Sequence, residues 1–192
     1  MLVFRSAAEA RQQLHQELPS LATVNWRVKS PLDTSYQCIA WAACRTDRSW
    51  WPWDDTRYYW PPGFAKFPIN SPVPIDSFME MFEQRFGYRP CQSSAFEFGY
   101  QKVAIYANNM GVTHMARQHF FGWGWLSKLG EEEDILHSQL TDLEGDIAPT
   151  AGQYGRVAQI LKRSWWSALV RLCLFRGWWA SLKCWFYRRV IP

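Results

Sequence analysis

The stretch that most limits what this chain can fold into is KVAIYAN (102–108), NMG (109–111), VTHMARQ (112–118). Two runs with β-branched and aromatic residues flank a short turn ending in Gly, the signature of an antiparallel hairpin. A Gly-rich turn then leads to WGWLSK (123–128), a third short strand, and YGRVAQILK (154–162) alternates as the closing strand. Upstream the pattern is helical. Ser6 and Glu9 fit a capping box, and the residues through Leu18 form a short amphipathic helix ended by Pro19. CIAWAAC (38–44) reads as about two turns of helix, and SFMEMFEQRF (77–86) as another, capped by Asp76 and closed by Gly87. Residues 131–143 are expected to be at least partly helical. Helices first and an antiparallel meander second define an α+β fold.

Between the first two core helices lies DRSWWPWDDTRYYWPPGFAKFPINSPVP (47–74), which holds six prolines and no periodic element. It is expected to be a long irregular loop. It also concentrates the aromatic excess: the chain carries 13 Trp, 8 Tyr and 12 Phe, or 17% of its residues. Trp51 and Trp60 in this loop are candidate substrate-binding rings, a stacking platform for sugar or peptide. The competing reading is that such a loop anchors itself by burying them.

The net charge of +4 is unevenly placed. Residues 164–192 hold five basic side chains and no acidic one, leaving 16 basic against 17 acidic in residues 1–163. A near-neutral body with a basic tail does not suit a module that binds nucleic acid across its surface, so no nucleic-acid partner is expected. The division implied is a lead-in at 1–24, an α+β domain at 25–163 and a basic aromatic tail at 164–192. Tryptophan beside arginine in that tail suits a helix pair lying on an anionic membrane surface; a packed helical hairpin and an unselected extension are the other readings. No run approaches the ~18 uncharged apolar residues of a spanning helix, and the first residues lack a secretory leader's apolar stretch. The expected location is the cytoplasm, with peripheral membrane contact.

Five cysteines without a CxxC or a regular spacing argue against a disulfide framework or a zinc ribbon, and no metal or cofactor is expected. Cys38 is the candidate nucleophile, because a thiol at a helix N-terminus sits at the positive end of the dipole, which lowers its pKa. Strand alternation places Val112, His114 and Ala116 on one apolar face, so His114 points inward as a candidate general base. His119 at a turn and His15 on a helix face are expected to be solvated. Ser127 on the next strand and Asp134 in DILH are the two candidates to orient His114. Gln37 and the backbone N–H of Cys38 are candidate oxyanion donors.

A helix opening on Cys, followed by a sheet with His on one strand and a polar residue on the next, resembles the papain-like cysteine peptidases over residues 36–163. The stretch THMARQ…GWGWLSKLG…QYGRVAQILKR is similar in layout to the papain-type histidine, W-x-x-K-N and G-Y-x-R-I strands. The related NlpC/P60 pattern of amide hydrolases would put Lys102 of KVAIY at the base position; the papain-type alignment keeps His114 there and matches the downstream strands too. More closely, CIAWA (38–42), DRSWWPW (47–53), YWPPG (59–63), FGYQKVAIYA (98–107), THMARQ (113–118), WLSKLG (125–130) and DILH (134–137) resemble an uncharacterised bacterial domain family. The resemblance implies a cysteine-dependent hydrolase or acyltransferase acting on an amide or peptide bond. The alternatives are a papain-like shell that binds peptide or glycan without catalysis, and a membrane-surface interaction protein.

Overall fold

The computed structural model describes residues 2–3, 5–145 and 154–166. In chain order its elements are β1 (Leu2–Val3), α1 (Ala7–Glu17), β2 (Trp26–Val28), β3 (Leu32–Asp33), α2 (Cys38–Ala42), α3 (Ile75–Phe86), β4 (Arg89–Cys91), β5 (Tyr100–Asn108), β6 (Gly111–Gln118), β7 (Trp125–Lys128), β8 (Asp134–His137) and β9 (Arg156–Ser164). Single 3-10 turns occur at Pro19–Thr23 and Leu140–Leu143. Seven strands form one antiparallel sheet in the order β2-β8-β7-β6-β5-β9-β4, while β1 and β3 pair as a separate ribbon. The fold is α+β, as expected.

The central hairpin is fixed by its turn. The Asn108 side chain accepts the Met110 N–H at 2.6 Å, and Gly111 has φ +100. A Cβ on Gly111 would lie 2.4 Å from the Val73 carbonyl oxygen, so only glycine lets the loop before α3 lie against this turn. The hairpin also carries a bulge. Tyr106 pairs with His114 and Ala107 with Val112, which leaves Thr113 as an extra residue. The bulge reverses the expected facing, because Val112 turns to one side of the sheet while His114 and Ala116 stay on the other.

Each face has its own core. Val103, Ile105, Val112, Met115, Leu126 and Leu136 pack against Ile39 and Trp41 of α2 and Phe78 and Phe82 of α3. Ala104, Tyr106, Ala116, Trp125 and Ile135 pack on the other side against Leu14 of α1, Leu21, Leu140 and Leu143. The lead-in therefore contributes to the core of the domain. Its capping box forms as expected, with Glu9 N–H donating to Ser6 Oγ at 3.2 Å and Ser6 N–H to Glu9 at 2.8 Å.

Four local expectations change. Residues 131–143 are helical only at the 3-10 turn Leu140–Leu143, and DILH is a strand, because it is buried on both faces between β2 and β7, a place no helix can take. Helix α3 begins at Ile75 with Pro74 as its cap, and Asp76 falls in the first turn, where it still faces the positive helix end. The strand at 156–164 is internal, since three-residue β4 and β2 form the edges; both were too short to show a period. His15 is half-buried with its ring edge-on to Trp26 at 5.6 Å. The expected helical tail falls mainly on 167–192, outside the described residues; Ser164 still belongs to β9 and Trp165 packs on Phe98 and Phe120.

Candidate functional site

Helix α2 opens on Cys38 because Gln37 is fully extended (φ −125, ψ −179) and its carbonyl accepts the Trp41 N–H at 3.0 Å. The helix then lies on β6, and the thiol takes the backbone N–H of Met115. Cys38 is thereby docked at the residue next to His114 in sequence. The expected low thiol pKa does not follow. Tyr36 is buried and stacks on Trp41 at 5.9 Å, so the loop before the helix covers its start instead of exposing it. Cys38 is 6% exposed, and burial pushes its thiol up to about 11 against the opposing Met115 and Ile39 N–H groups and the Lys128 charge. A five-residue helix has too small a dipole to reverse that.

His114 is fully buried on the α1 side of the sheet, with its ring stacked on Tyr154 at 4.1 Å and edge-on to Tyr106 at 5.5 Å. Neither ring nitrogen has a hydrogen-bond partner among the described residues. Burial, and secondarily the nearby His137, hold its pKa down at about 3. The structure thus docks Cys38 on the backbone of Met115 but leaves the His114 side chain on the opposite face of the sheet. No hydrogen bond joins the two, and burial favours the neutral form of each. Tyr154 sits close to both, and burial together with the Cys38 charge raises its phenol.

Neither candidate orienting residue bonds His114. Ser127 Oγ lies 3.0 Å from His137 Nε2, and His137 Nδ1 donates to the Gln139 carbonyl at 2.7 Å, with the Asp142 carboxylate at 4.0 Å. That bond to the carbonyl puts the proton on Nδ1, so the serine hydroxyl donates to Nε2. Asp134 faces the opposite way, into the α2 side, where Tyr36 donates to it at 3.1 Å and its own N–H donates to Ser30 at 3.2 Å. Burial pushes its carboxyl up to about 6 against Lys128, Ser30 and Tyr36. The cause is strand alternation: Ser127 pairs with Ile135 and Lys128 with Asp134, so serine and aspartate project to opposite sides of the sheet.

The polar groups that share Cys38's side were not singled out in the sequence. Lys128 is fully buried, donates to the Glu132 carbonyl and lies 5.3 Å from the Tyr36 ring. Arg117 lies 4.2 Å over the Trp41 ring and donates to the Trp41 carbonyl at 3.3 Å and to Cys44 Sγ at 2.8 Å. Strand alternation with Met115 carries a signal for Arg117, but a basic residue in a strand reads as solvated until the sheet is seen to be covered on both faces. Lys102, the rival base position, donates to the Ser93 and Ala95 carbonyls at 2.9 and 2.7 Å and ties down that loop.

Of the candidate substrate-binding residues, Gln37 is half-buried at the start of α2. Trp60 is 4% exposed and edge-on to Phe78 at 5.4 Å; Trp51 is half-buried against Phe78 and Trp53 at 5.7 and 5.6 Å. These rings anchor the loop and present no open stacking platform. A groove of about 320 Å³ lies elsewhere, between Phe96, Gln118, Trp125 and Gln139. Among the described residues no three His, Cys, Asp or Glu side chains gather as a metal-ligand set, and no helix is long and apolar enough to cross a membrane.

A seven-stranded antiparallel sheet with a cysteine-led helix docked on one face and a buried histidine on the other defines an α+β domain. Residues 27–162 match the family model described as "Domain of unknown function (DUF7689)", and the chain belongs to that family. No curated protein and no solved structure matches it.

Proposed function

We propose that this chain is a papain-like cysteine hydrolase or acyltransferase acting on an amide or peptide bond, with Cys38 as nucleophile and His114 as general base. One observation supports the reading: a fully buried imidazole, both of its nitrogens without a partner among the described residues, stands next in sequence to the strand residue that holds the thiol. Buried polar groups are paired in the great majority of cases, and exceptions concentrate where chemistry needs a free atom.

Because burial keeps both groups neutral, the proton moves during attack instead of before it. At rest Cys38 lies on the α2 side of the sheet and the His114 ring on the other, so the step requires β6 to turn at its Thr113 bulge. As Cys38 Sγ then bonds the carbonyl carbon, a ring nitrogen of His114 takes the thiol proton and the carbonyl π pair moves onto oxygen. The Cys38 N–H and the Gln37 amide are the donors available for that oxyanion. Collapse breaks the C–N bond, the leaving amine takes the proton from His114, and a thioester remains. Water, or an acceptor amine, then attacks the thioester; His114 takes its proton and returns it to the departing sulfur. Tyr154 must move off the ring for a substrate to enter, which matches a site that is closed at rest.

Acetylation by p-nitrophenyl acetate, followed by peptide mass spectrometry, tests the reading. The expected product is one acetyl group on Cys38, formed at a rate nearly flat from pH 5 to 9 and slowed about a hundredfold or more in His114→Ala. A rate that climbs about tenfold per pH unit and ignores His114→Ala is that of a bare thiol and overturns the base assignment. Acetylation confined to Cys44 and Cys91 removes the nucleophile and leaves a non-catalytic shell.

A further inference from the structure

Where β5 begins and β6 and β9 end, four large rings stand in solvent: Phe98 is 82% exposed, Trp166 76%, Trp123 66% and Phe121 57%. Phe98, Phe121 and Trp123 are linked by a run of ring contacts, and Trp166 follows Trp165 of that run in sequence. Phe98 is edge-on to Trp165 at 5.3 Å, Trp165 stacks on Phe120 at 4.5 Å, Phe120 meets Phe121 at 5.0 Å and Phe121 meets Trp123 at 5.2 Å. The turn that presents Phe121 and Trp123 is built for this. Gly122 has φ +73, and a Cβ there would lie 2.5 Å from the Phe96 ring, so only glycine lets that ring lie flat against the turn. Single exposed aromatics are ordinary, but a contiguous patch of this kind marks an interaction surface.

We propose that this patch is a membrane-docking face that lays the 96–98, 119–123 and 165–166 segments on an anionic lipid surface. Two features select lipid as the occupant. Phe and Trp rings in a loop-borne cluster suit the boundary between headgroups and acyl chains, where an indole ring is buried while its N–H stays wet. The charge is also complementary. The sequence that runs on from Trp166 holds Arg171, Arg176, Lys183, Arg188 and Arg189 with no acidic residue and three further tryptophans, and the patch lies at its point of departure. The proposal is independent of Cys38 and His114, which lie elsewhere.

Co-sedimentation of the full chain with phosphatidylcholine vesicles, with and without phosphatidylglycerol, tests it. The chain is expected to bind the anionic vesicles and to be released by salt, each basic residue near the surface contributing about fivefold. Phe98→Ser/Trp123→Ser is expected to bind about tenfold more weakly while keeping the parent melting curve, since both rings are mostly in water. Binding equal to the parent's in that double variant overturns the patch, leaving attraction by charge alone. Failure of the parent to bind anionic vesicles overturns the proposal outright. A lipid-free dimer that the double variant dissolves makes the patch a contact between copies and likewise overturns it.

Discussion

Ser127 Oγ lies 3.0 Å from His137 Nε2, so the serine on the strand beside His114 serves a different imidazole. The Gln139 carbonyl fixes His137 as the Nδ1-protonated tautomer, and the Ser127 hydroxyl donates to the bare Nε2. Ser127→Ala therefore strands a buried acceptor. The expected cost is about 1–3 kcal/mol, or a melting temperature lower by several degrees. Acetylation of Cys38 should change less than about twofold, because Ser127 makes no bond to His114. A hundredfold loss of acetylation with an unchanged melting curve would return Ser127 to the role of orienting residue.

Acid should unfold the protein through its two buried histidines. His114 is held at about 3 by burial and then by His137; His137 is held at about 4 by burial, opposed by the Gln139 carbonyl and Asp142. Both have folded pKa values below the unfolded value of 6.5, so the unfolded chain binds more protons between those limits. The stability they contribute is complete above pH 6.5 and is lost as pH falls toward 3 to 4, by about 1.4 kcal/mol for each pH unit separating the folded and unfolded values. Asp134, raised to about 6, acts in the opposite sense but is one group against two. Urea midpoints should fall steadily from pH 7 to 4.5, and His137→Gln should flatten the slope. A midpoint that rises on acidification contradicts this reading.

The capping box of α1, the glycine that ends α3 and the central hairpin were legible because each is a local pattern. Ser6 with Glu9 and Gly87 in the left-handed region need only their neighbours. The facing of the site was not legible, because it turns on the single extra residue Thr113, and a bulge leaves no mark in hydrophobic periodicity. The same limit hid β2 and β4, whose three residues show no period, and misread DILH, whose continuous burial looks alike in strand and helix. The thiol's environment was out of reach for another reason. Dipole and sequence speak for a reactive Cys38, but the pKa is set by Tyr36, Trp41 and the sheet closing over it.

The buried pair Lys128 and Asp134 stand directly opposite each other on β7 and β8, and burial pushes each toward its neutral form. Removing one partner leaves the other's polar head buried without its counterpart. Asp134→Leu or Lys128→Met alone is expected to cost about 3 kcal/mol or more, whereas the double change Asp134→Leu/Lys128→Met should recover most of that loss. Chemical denaturation of the four proteins of this cycle measures it. A double variant as unstable as the sum of the single ones would show that the two side chains do not support each other.

Trp60 tests whether the aromatic loop anchors the fold. Its ring is buried edge-on against Phe78 of α3, beside Trp51 on the same phenyl. Trp60→Ala should cost about 3–5 kcal/mol, as truncation of a core aromatic does, and Trp60→Phe should restore part of it. A melting curve indifferent to Trp60→Ala would mean that the loop is held by other contacts and would reopen a surface role for the ring.

At alkaline pH the sign depends on Cys38. Its folded pKa of about 11 stands above the ordinary thiol value of 9.0, so between those limits the unfolded chain has already lost a proton that the fold retains. Stability from this group is therefore complete below pH 9 and is lost as pH rises toward 11, by about 1.4 kcal/mol for each pH unit between the two values. Cys38→Ala removes the ionisable group from both states. The variant should start lower at pH 7, by about 1 kcal/mol for the lost sulfur contacts, and then decline less steeply than the parent from pH 9 to 10.5. Parallel curves for the two proteins across that range would show that the thiol already ionises as freely in the fold as in the unfolded chain. That result would make Cys38 an ordinary thiol, neither held protonated by burial nor activated by the dipole.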